Sequence, residues 1–405
     1  MTTAETFEVG GVRLARPFKI RRLGHVGINF VDVEKVLPFY RDLLGLMVSD
    51  ELELGGRMSQ EDRARHPQTR AYFMRHGNEH HSMVLFPGPT INTLAGRPPV
   101  TPSSALNQVA WQVGSLREVN GGIASLKASN VDLLRVGRDQ PGSNWHVYGF
   151  DPDRQANELF YGMEQIGWDR RSKAQDGYSR LFETPPDPIP PEYQELADAA
   201  ARGVDLGAGH RYDRMGEPGY DAGGVKLARP FKVTRVGPLR LFVTDLEKSL
   251  AFYRDRLGLS VTEKIVWQGE RCVFLRAGTE HHSIGLYPVA LRAHLGFRAN
   301  SNCMSVGLQV ADYAQLRSAL AYLGERGARI VKLPPELSPG IDYSAFVFDP
   351  EGQAVQLYYY MEQIGWDGRP RPAALRPAVD NDHWPDTVDA PDDVFSGEAY
   401  LGPWG

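Results

Sequence analysis

The first clear pattern along the chain is a strand followed by a helix, within residues 24–46. Apolar side chains alternate with small or polar ones over residues 25–30, which predicts a strand with one apolar face and one polar face. Apolar residues then recur at helical spacing over residues 36–43, and Gly45 is typical of a helix end. We expect the apolar face to pack on the helix, which leaves His25 on the polar face, where it lines a cavity.

The same pattern occurs a second time, together with several literal repeats. The repeated segments are GGVRLARPFK at 10–19 and GGVKLARPFK at 223–232, EHHS at 79–82 and 280–283, and MEQIGWD at 163–169 and 361–367. Repeats this long and in the same order predict two similar domains that arose by duplication. We expect a purely structural role for the MEQIGWD segment, in which its Ile and Trp pack against the edge of each domain.

Within each half, the periodicity predicts two successive units of one strand, one helix and three strands. The fold class is therefore α+β, with four βαβββ units paired into two tandem domains. The predicted boundaries are an N-terminal arm at 1–20, a first domain at 21–168, a linker at 169–232, a second domain at 233–367 and a tail at 368–405.

Composition narrows the classes of function. The chain has 405 residues, a formal net charge of −5 and 42% hydrophobic residues, values that are ordinary for a globular protein with two cores. No basic patch for nucleic acid, no membrane-spanning run and no signal peptide is visible, so neither nucleic acid nor membrane is an expected partner, and the cytoplasm is the expected location. Cys272 and Cys303 are expected to be buried free thiols.

Two motifs carry a family resemblance. His25 begins a strand that leads to Asp32 and then to a Phe-Tyr-x-x-x-Leu-Gly-Leu segment at 39–46, and Tyr148 lies ten residues ahead of Glu158. The chain resembles the vicinal oxygen chelate superfamily and, within it, the two-domain type I extradiol ring-cleaving dioxygenases. The resemblance implies a mononuclear Fe(II), or sometimes Mn(II), and the cleavage of a catechol-like or hydroquinone-like aromatic by O2.

The resemblance also implies roles for individual residues of the first domain. His25 and Glu158 match two metal ligands of the family, and Gln108 stands where the family has its second histidine ligand. The amide of a glutamine is neutral and binds a metal more weakly than an imidazole does. His81 matches the acid/base histidine, with a fourth-ligand role left open, and Tyr148 matches the tyrosine that helps to hold the substrate oxygens.

Three further residues are candidate contacts to the substrate. His146 shares a predicted strand face with Tyr148. Trp111 could line the cup, the concave space between paired βαβββ units in which the family holds its metal, and stack there on an aromatic ring. Asp139 stands where extradiol enzymes often have another histidine that contacts the substrate.

The second domain lacks the matching residues. Pro238, Ser305, Gln356 and Phe346 stand at the positions of His25, Gln108, Glu158 and Tyr148, and only His282 corresponds to a retained site residue. A single histidine cannot hold a metal, so we expect the second domain to be a degenerate structural copy and the site to lie in the first.

Two other functions stay open at this point. The first is a redox-neutral enzyme of the glyoxalase or epimerase type, in which Zn(II), Ni(II) or Co(II) at the same positions polarises a carbonyl group. The second is a small-molecule binding protein that keeps the cup without a competent metal. A homo-oligomer is expected by analogy with the family alone.

Overall fold

The computed structural model describes residues 6–96, 105–138, 141–177, 180–181, 184–186, 188–212, 216–298 and 301–389. It shows the two tandem α+β domains that the repeats predict. Before each domain lies a short two-stranded hairpin, formed by β1 (Phe7–Val9) with β2 (Val12–Leu14) before the first domain and by the corresponding pair before the second.

The first domain follows the predicted order of strands and helices. Its elements are β3 (Ile20–Phe30), α1 (Val33–Pro38), β4 (Met47–Glu53), α2 (Gln60–Arg65), β5 (Arg70–Arg75), β6 (Met83–Pro87), α3 (Gly88–Leu94), β7 (Ala105–Val113), α4 (Leu116–Ala128), β8 (Leu133–Arg138), β9 (Trp145–Phe150) and β10 (Ala156–Tyr161). The segment that follows holds the short strand β11 (Arg180–Leu181) and the helix α5 (Glu192–Ala201).

The second domain repeats this order. Its elements are β12 (Tyr220–Ala222) and β13 (Val225–Leu227) in the hairpin, then β14 (Val233–Val243), α6 (Leu246–Leu250), β15 (Ser260–Trp267), β16 (Glu270–Arg276), β17 (Ile284–Pro288), α7 (Leu291–His294), β18 (Cys303–Val310), α8 (Tyr313–Glu325), β19 (Arg329–Val331), β20 (Ser344–Phe348) and β21 (Ala354–Tyr358).

Each domain is one curved sheet made from two βαβββ units. In the described part of the first domain the strand order is β11-β8-β9-β10-β7-β3-β6-β5-β4, and in the second it is β15-β16-β17-β14-β18-β21-β20-β19. The first strands of the two units, β3 and β7, pair antiparallel at the centre, and each pairs in parallel with the last strand of its own unit. One face of the sheet is therefore covered by helices, and the other face forms the cup.

The helix after β3 changes its winding partway along. Asp32 caps the start of α1 by accepting a hydrogen bond from the backbone N–H of Lys35. The helix was expected to continue to Leu44, but α1 ends at Pro38 and a π-helical turn follows at Phe39–Leu43, closed by the Leu44 N–H donating to the Phe39 carbonyl at 2.9 Å. This turn brings Tyr40 to the boundary between the domains.

The two domains hold one another by reciprocal contacts. The Tyr40 hydroxyl donates to Asp349 Oδ2 of the second domain at 2.9 Å, and the Tyr253 hydroxyl donates to Asp151 Oδ2 of the first at 2.8 Å. Both aspartates are buried in the turn between the last two strands of their domain. Each domain thus contributes a tyrosine that donates a hydrogen bond to the aspartate in the turn of the other domain.

The repeated MEQIGWD segment packs only in part as expected. Ile166 and Ile364 are buried, whereas the side chains of Trp168 and Trp366 are fully exposed. The expectation that the tryptophans pack against the domain edge is therefore wrong. The two cysteines are buried free thiols, as predicted.

Candidate functional site

Three side chains converge at the centre of the first domain's cup. In the strand register, Ala110 of β7 pairs with His25 of β3 on one side and with Glu158 of β10 on the other. Gln108, two residues before Ala110, pairs with Gly27 of β3. His25 Nε2 lies 2.9 Å from Glu158 Oε2, and the Gln108 amide nitrogen lies 3.2 Å from His25 Nε2 and 3.3 Å from Glu158 Oε2. Sequence reasoning named these three residues, and the structure brings them together.

Their spacing suits a common cation. Ligand atoms at about 2.1 Å from a metal and at right angles to one another lie about 3 Å apart. Across the described ranges, no group of three or more His, Cys, Asp or Glu side chains is arranged to hold a metal ion. Gln108 is the further donor that lies within 3.3 Å of both His25 Nε2 and Glu158 Oε2, and its amide can present its oxygen after a rotation of half a turn.

Glu158 is the buried carboxylate of the cup. Its Oε1 accepts a hydrogen bond from Asn144 Nδ2 at 2.5 Å and lies 3.8 Å from His146 Nδ1. Burial alone would raise the pKa of Glu158, but the nearby His25 and His146 and a hydrogen bond from Tyr148 hold that pKa below its ordinary value. Glu158 is thus an anion, the state that ligates a metal.

His81 lies beside this trio and is held neutral. Its ring centroid is 4.3 Å from that of His25, and the edge of Phe73 faces it at 5.0 Å. Burial, and then the neighbouring His25 and His80, lower the pKa of His81 well below its ordinary value. A neutral imidazole in this place can accept a proton.

Tyr148 and His146 lie on the same face of β9. Tyr148 pairs across the strands with Glu158, and its ring contacts that of His146 edge-on at 4.8 Å. Both side chains are buried against the cup. The structure therefore brings both side chains to one strand face beside the carboxylate, and their roles toward a substrate stay predictions.

The expectation that Trp111 lines the cup is wrong. Trp111 lies three residues after Gln108 in the same strand, so its side chain points to the opposite face. It is completely buried, donates to Asn157 Oδ1 at 2.9 Å and meets the ring of Tyr253 from the second domain. Its role is in the core and at the domain boundary. Asp139 lies outside the described residues.

Sequence reasoning missed Asn144, His80 and Asp50. Asn144 shares its face with His146 and Tyr148, so the period of two along this segment would have found it. His80 Nδ1 lies 3.0 Å from His81 Nδ1, and His80 Nε2 lies 3.5 Å from Asp50 Oδ2. No sequence signal ties Asp50 to this place, because the contact joins β4 to the loop between β5 and β6.

The cup of the second domain is filled by an arginine. Arg240 stands two residues after Pro238, at the place of Gly27, and is completely buried. Its Nε donates to the Tyr287 hydroxyl at 3.1 Å and its Nη2 to His282 Nε2 at 3.3 Å. A guanidinium therefore occupies the second cup, and Gln356 there bonds to Ser338 and Ser344 in place of a metal.

No helix in the described part of the chain has the length and apolar character needed to cross a membrane.

Two characterised relatives match part of the chain. A 2,2',3-trihydroxybiphenyl dioxygenase from Sphingomonas paucimobilis is 25% identical over 130 residues, which are 32% of this chain and 42% of that protein. Metapyrocatechase 2 from Cupriavidus necator is 29% identical over 133 residues, 33% of each chain. The matched stretch thus spans less than half the length of either relative.

Solved structures share the fold over most of the chain. Homoprotocatechuate 2,3-dioxygenase from Arthrobacter globiformis has a TM-score of 0.54 at 18% identity, covering 86% of this chain and 82% of that one. BphC, a halotolerant catechol dioxygenase, has a TM-score of 0.53 at 15% identity, covering 87% and 91%. The Mn(II)-bound glyoxalase from Novosphingobium aromaticivorans has a TM-score of 0.52 at 14% identity, covering 86% and 85%.

A family model matches both domains, at residues 22–159 and 235–357. These ranges contain nearly all of the strand and helix residues of the two domains and make up more than half of the chain. The chain belongs to the glyoxalase/bleomycin resistance protein/dioxygenase superfamily.

Proposed function

We propose that the chain is a metal-dependent ring-cleaving dioxygenase of the extradiol type, with its one catalytic site in the first domain. The observation that carries the proposal is the convergence of His25 Nε2, Glu158 Oε2 and the Gln108 amide within 3.3 Å in a buried cup. Fe(II), or Mn(II), is the expected metal, and a catechol-like or hydroquinone-like aromatic is the expected substrate. The two dioxygenase relatives support the reaction class.

The donor set fits a metal that must bind two further partners. One imidazole, one carboxylate and one amide leave open positions on a six-coordinate ion. A bound Fe(II) supplies the path by which electron density passes from a chelated diol to O2. In the net reaction one ring C–C bond breaks and both oxygen atoms enter the product, so no external reductant is needed.

The protein side chains supply the remaining tasks. His81 is neutral and buried beside His25, so it can take the proton that an aromatic hydroxyl releases on binding and return it later. Tyr148 and His146 lie on the same face as Glu158 and are placed to orient the substrate oxygens. Asn144 holds the carboxylate in position through its bond to Oε1.

A redox-neutral reaction of the glyoxalase type is the second candidate, and Gln108 favours it. An amide oxygen donates less electron density to a metal ion than an imidazole nitrogen does. An ion with Gln108 in place of a second histidine would therefore polarise a carbonyl group more strongly. The Mn(II)-bound glyoxalase shares the fold. In this case the same cup would hold Zn(II), Ni(II) or Co(II).

Oxygen consumption separates the two candidates. The protein is loaded anaerobically with Fe(II) or Mn(II) and mixed with a panel of catechols and hydroquinones in an oxygen electrode, beside Glu158→Gln and, as a matched control for folding, the exposed-site variant Trp168→Ala. We expect uptake with at least one diol in the wild type and in Trp168→Ala, and none in Glu158→Gln. Uptake that persists in Glu158→Gln would contradict the site. Turnover of 2-oxoaldehyde adducts without uptake would establish the redox-neutral enzyme.

A further inference from the structure

A line of buried polar side chains leads from the cup to the outside of the first domain. His81, beside the metal-ligand candidates, touches His80 through their two Nδ1 atoms at 3.0 Å. His80 Nε2 then faces Asp50 Oδ2 at 3.5 Å, which is longer than a normal hydrogen bond, and this buried nitrogen has no hydrogen-bond partner among the described residues. All three side chains are at most 3% exposed. Two imidazoles that meet through Nδ1 atoms need one N–H and one bare nitrogen, so the hydrogen on one ring decides the hydrogen on the other.

The second domain repeats this line and shows its direction. His282 and His281 meet through Nδ1 atoms at 3.1 Å, and His281 Nε2 lies 2.9 Å from Glu263 Oε2. At the inner end, Arg240 can only donate, so His282 Nε2 must be the bare nitrogen. The neutral His282 then carries its hydrogen on Nδ1 and donates it to His281, whose other nitrogen donates to the carboxylate.

Glu263 and Asp50 occupy the same place in the two domains. Each is the first paired residue after a β-bulge in the strand that follows the first helix of its domain. The carboxylate, the two histidines and their Nδ1 contact are thus present in both copies, although the ligand residues are present in only one. The inner partner of the line is a guanidinium in the second domain and the proposed metal site in the first.

We propose that Asp50 and His80 are positioning residues that hold His81 in the Nδ1–H tautomer, with its bare Nε2 available to the cup. The carboxylate of Asp50 attracts the Nε2–H of His80, which leaves His80 Nδ1 bare to accept from His81 Nδ1–H. His81 can then act only through Nε2. The kinetic consequence for catalysis rests on the proposed function, whereas the tautomer itself does not.

The outer end of the line differs between the domains. Asp50 accepts hydrogen bonds from three neutral groups, Ser172 Oγ at 2.9 Å, Gln175 Nε2 at 2.6 Å and the backbone N–H of Glu51 at 3.0 Å, and it lines an outer cleft of about 550 Å³. Glu263 instead accepts two bonds from the Arg376 guanidinium, at 3.0 and 2.5 Å. Residues after the first domain therefore hold Asp50 through neutral donors, whereas the second domain holds Glu263 through a guanidinium.

Substitution of Asp50 by asparagine should reverse the direction of the hydrogen bonds along this line of side chains. The amide keeps the shape of the carboxylate, but one of its two terminal atoms is now a donor. With its oxygen taken by Gln175, its NH2 group faces His80 and requires a bare Nε2 there. His80 then carries its hydrogen on Nδ1 and forces His81 into the Nε2–H tautomer.

The tautomers are measured directly on the metal-free protein by long-range ¹H–¹⁵N correlation spectra of ¹⁵N-histidine-labelled samples, assigned by single histidine substitutions. We expect His81 in the Nδ1–H form in the wild type and in Asp50→Glu, which places in the first domain the residue type of the second. We expect the Nε2–H form in Asp50→Asn, and no change at His81 in the matched control Glu263→Gln. The Nε2–H form in the wild type would overturn the proposal, as would a His81 spectrum that Asp50→Asn leaves unchanged.

Kinetics on the metal-loaded enzyme provide the second readout. Asp50→Asn should lower kcat about tenfold or more while the KM for the diol stays near the wild-type value, because the residue touches no substrate. Asp50→Glu should restore kcat, and Glu263→Gln should leave it unchanged. A loss of the same size in Glu263→Gln would show a general effect on the fold and would contradict the assignment. If no diol is consumed at all, the proposed function fails, and the spectra still decide the tautomer.

Discussion

The reciprocal bonds between the domains predict an unusual dependence of stability on pH. Asp151 accepts a hydrogen bond from Tyr253 of the other domain and is 4% exposed. Burial is the largest influence on this carboxyl group, and it raises the pKa of Asp151 from 3.8 to about 6. Asp349, bonded to Tyr40, has its pKa raised to the same value by the same cause.

The sign follows from the direction of the shift. A carboxyl group whose pKa is higher in the folded state binds its proton more tightly there, so its contribution to stability is complete below pH 3.8 and is lost as the pH rises through about 6. A rise of about two pH units corresponds to about 3 kcal/mol for each aspartate. Between pH 3.8 and about 6, both aspartates therefore lower the stability of the fold as the pH rises. A carboxyl group whose pKa is lower in the folded state, which is the usual case, has the opposite effect.

Asp151→Asn tests this reasoning. The asparagine oxygen can still accept the backbone N–H groups of Asp153 and Gln155, which Asp151 Oδ1 accepts at 3.0 and 2.8 Å. The variant removes the charge and keeps the shape. We expect the stability of the variant relative to the wild type, measured as the difference in their free energies of unfolding, to be about 3 kcal/mol greater at pH 7.5 than at pH 4.

The assay is urea unfolding of both proteins at a series of pH values, followed by tryptophan fluorescence and circular dichroism. Differences between variant and wild type cancel the other titrating groups, and Asp349→Asn serves as the matched variant from the other domain. A difference between the two proteins that stays constant from pH 4 to pH 8 would refute the reasoning. It would mean that Asp151 is ionised at its ordinary pKa in the folded protein.

Three further results are expected. Gln108→His should tighten Fe(II) binding about tenfold or more, because imidazole is the better ligand; an unchanged Kd in an anaerobic metal titration would place the amide outside the ligand set. His81→Gln should lower kcat for the diol about 100-fold with the metal content unchanged, as determined by stopped-flow oxidation and metal analysis; full activity would exclude His81 as the base. Arg240→Met should leave kcat within about twofold in an oxygen-electrode assay, because the hydrogen bonds of its guanidinium among the described residues go to Tyr287 and His282 of the second domain; loss of activity would show that the second cup takes part in the reaction.

The ligand candidates were predicted from the family resemblance, which matched His25, Gln108 and Glu158 position by position. Strand periodicity added that His25 lies on the polar face of its strand. The same periodicity, applied to Trp111, would have placed that side chain on the helix-covered face. The structure shows it there, in contact with Tyr253.

Features that depend on the meeting of distant segments could not be predicted. Asp50 on β4 meets His80 in the loop between β5 and β6, and the bonds of Tyr40 and Tyr253 cross from one domain to the other. Arg240 was overlooked for a different reason. Comparison of the two halves drew attention to the loss at Pro238, while the residue that fills the second cup stands two positions later, where the first domain has a glycine.

The central claim is that the first domain opens an aromatic ring with O2 at a metal held by His25, Gln108 and Glu158. The most direct test is a single turnover of the Fe(II)-loaded protein with a consumed diol under ¹⁸O2, with the product analysed by mass spectrometry. The account predicts an open-chain product that carries both labelled atoms, and no such product in Glu158→Gln. An unlabelled product, or a labelled product that Glu158→Gln forms equally well, would contradict it.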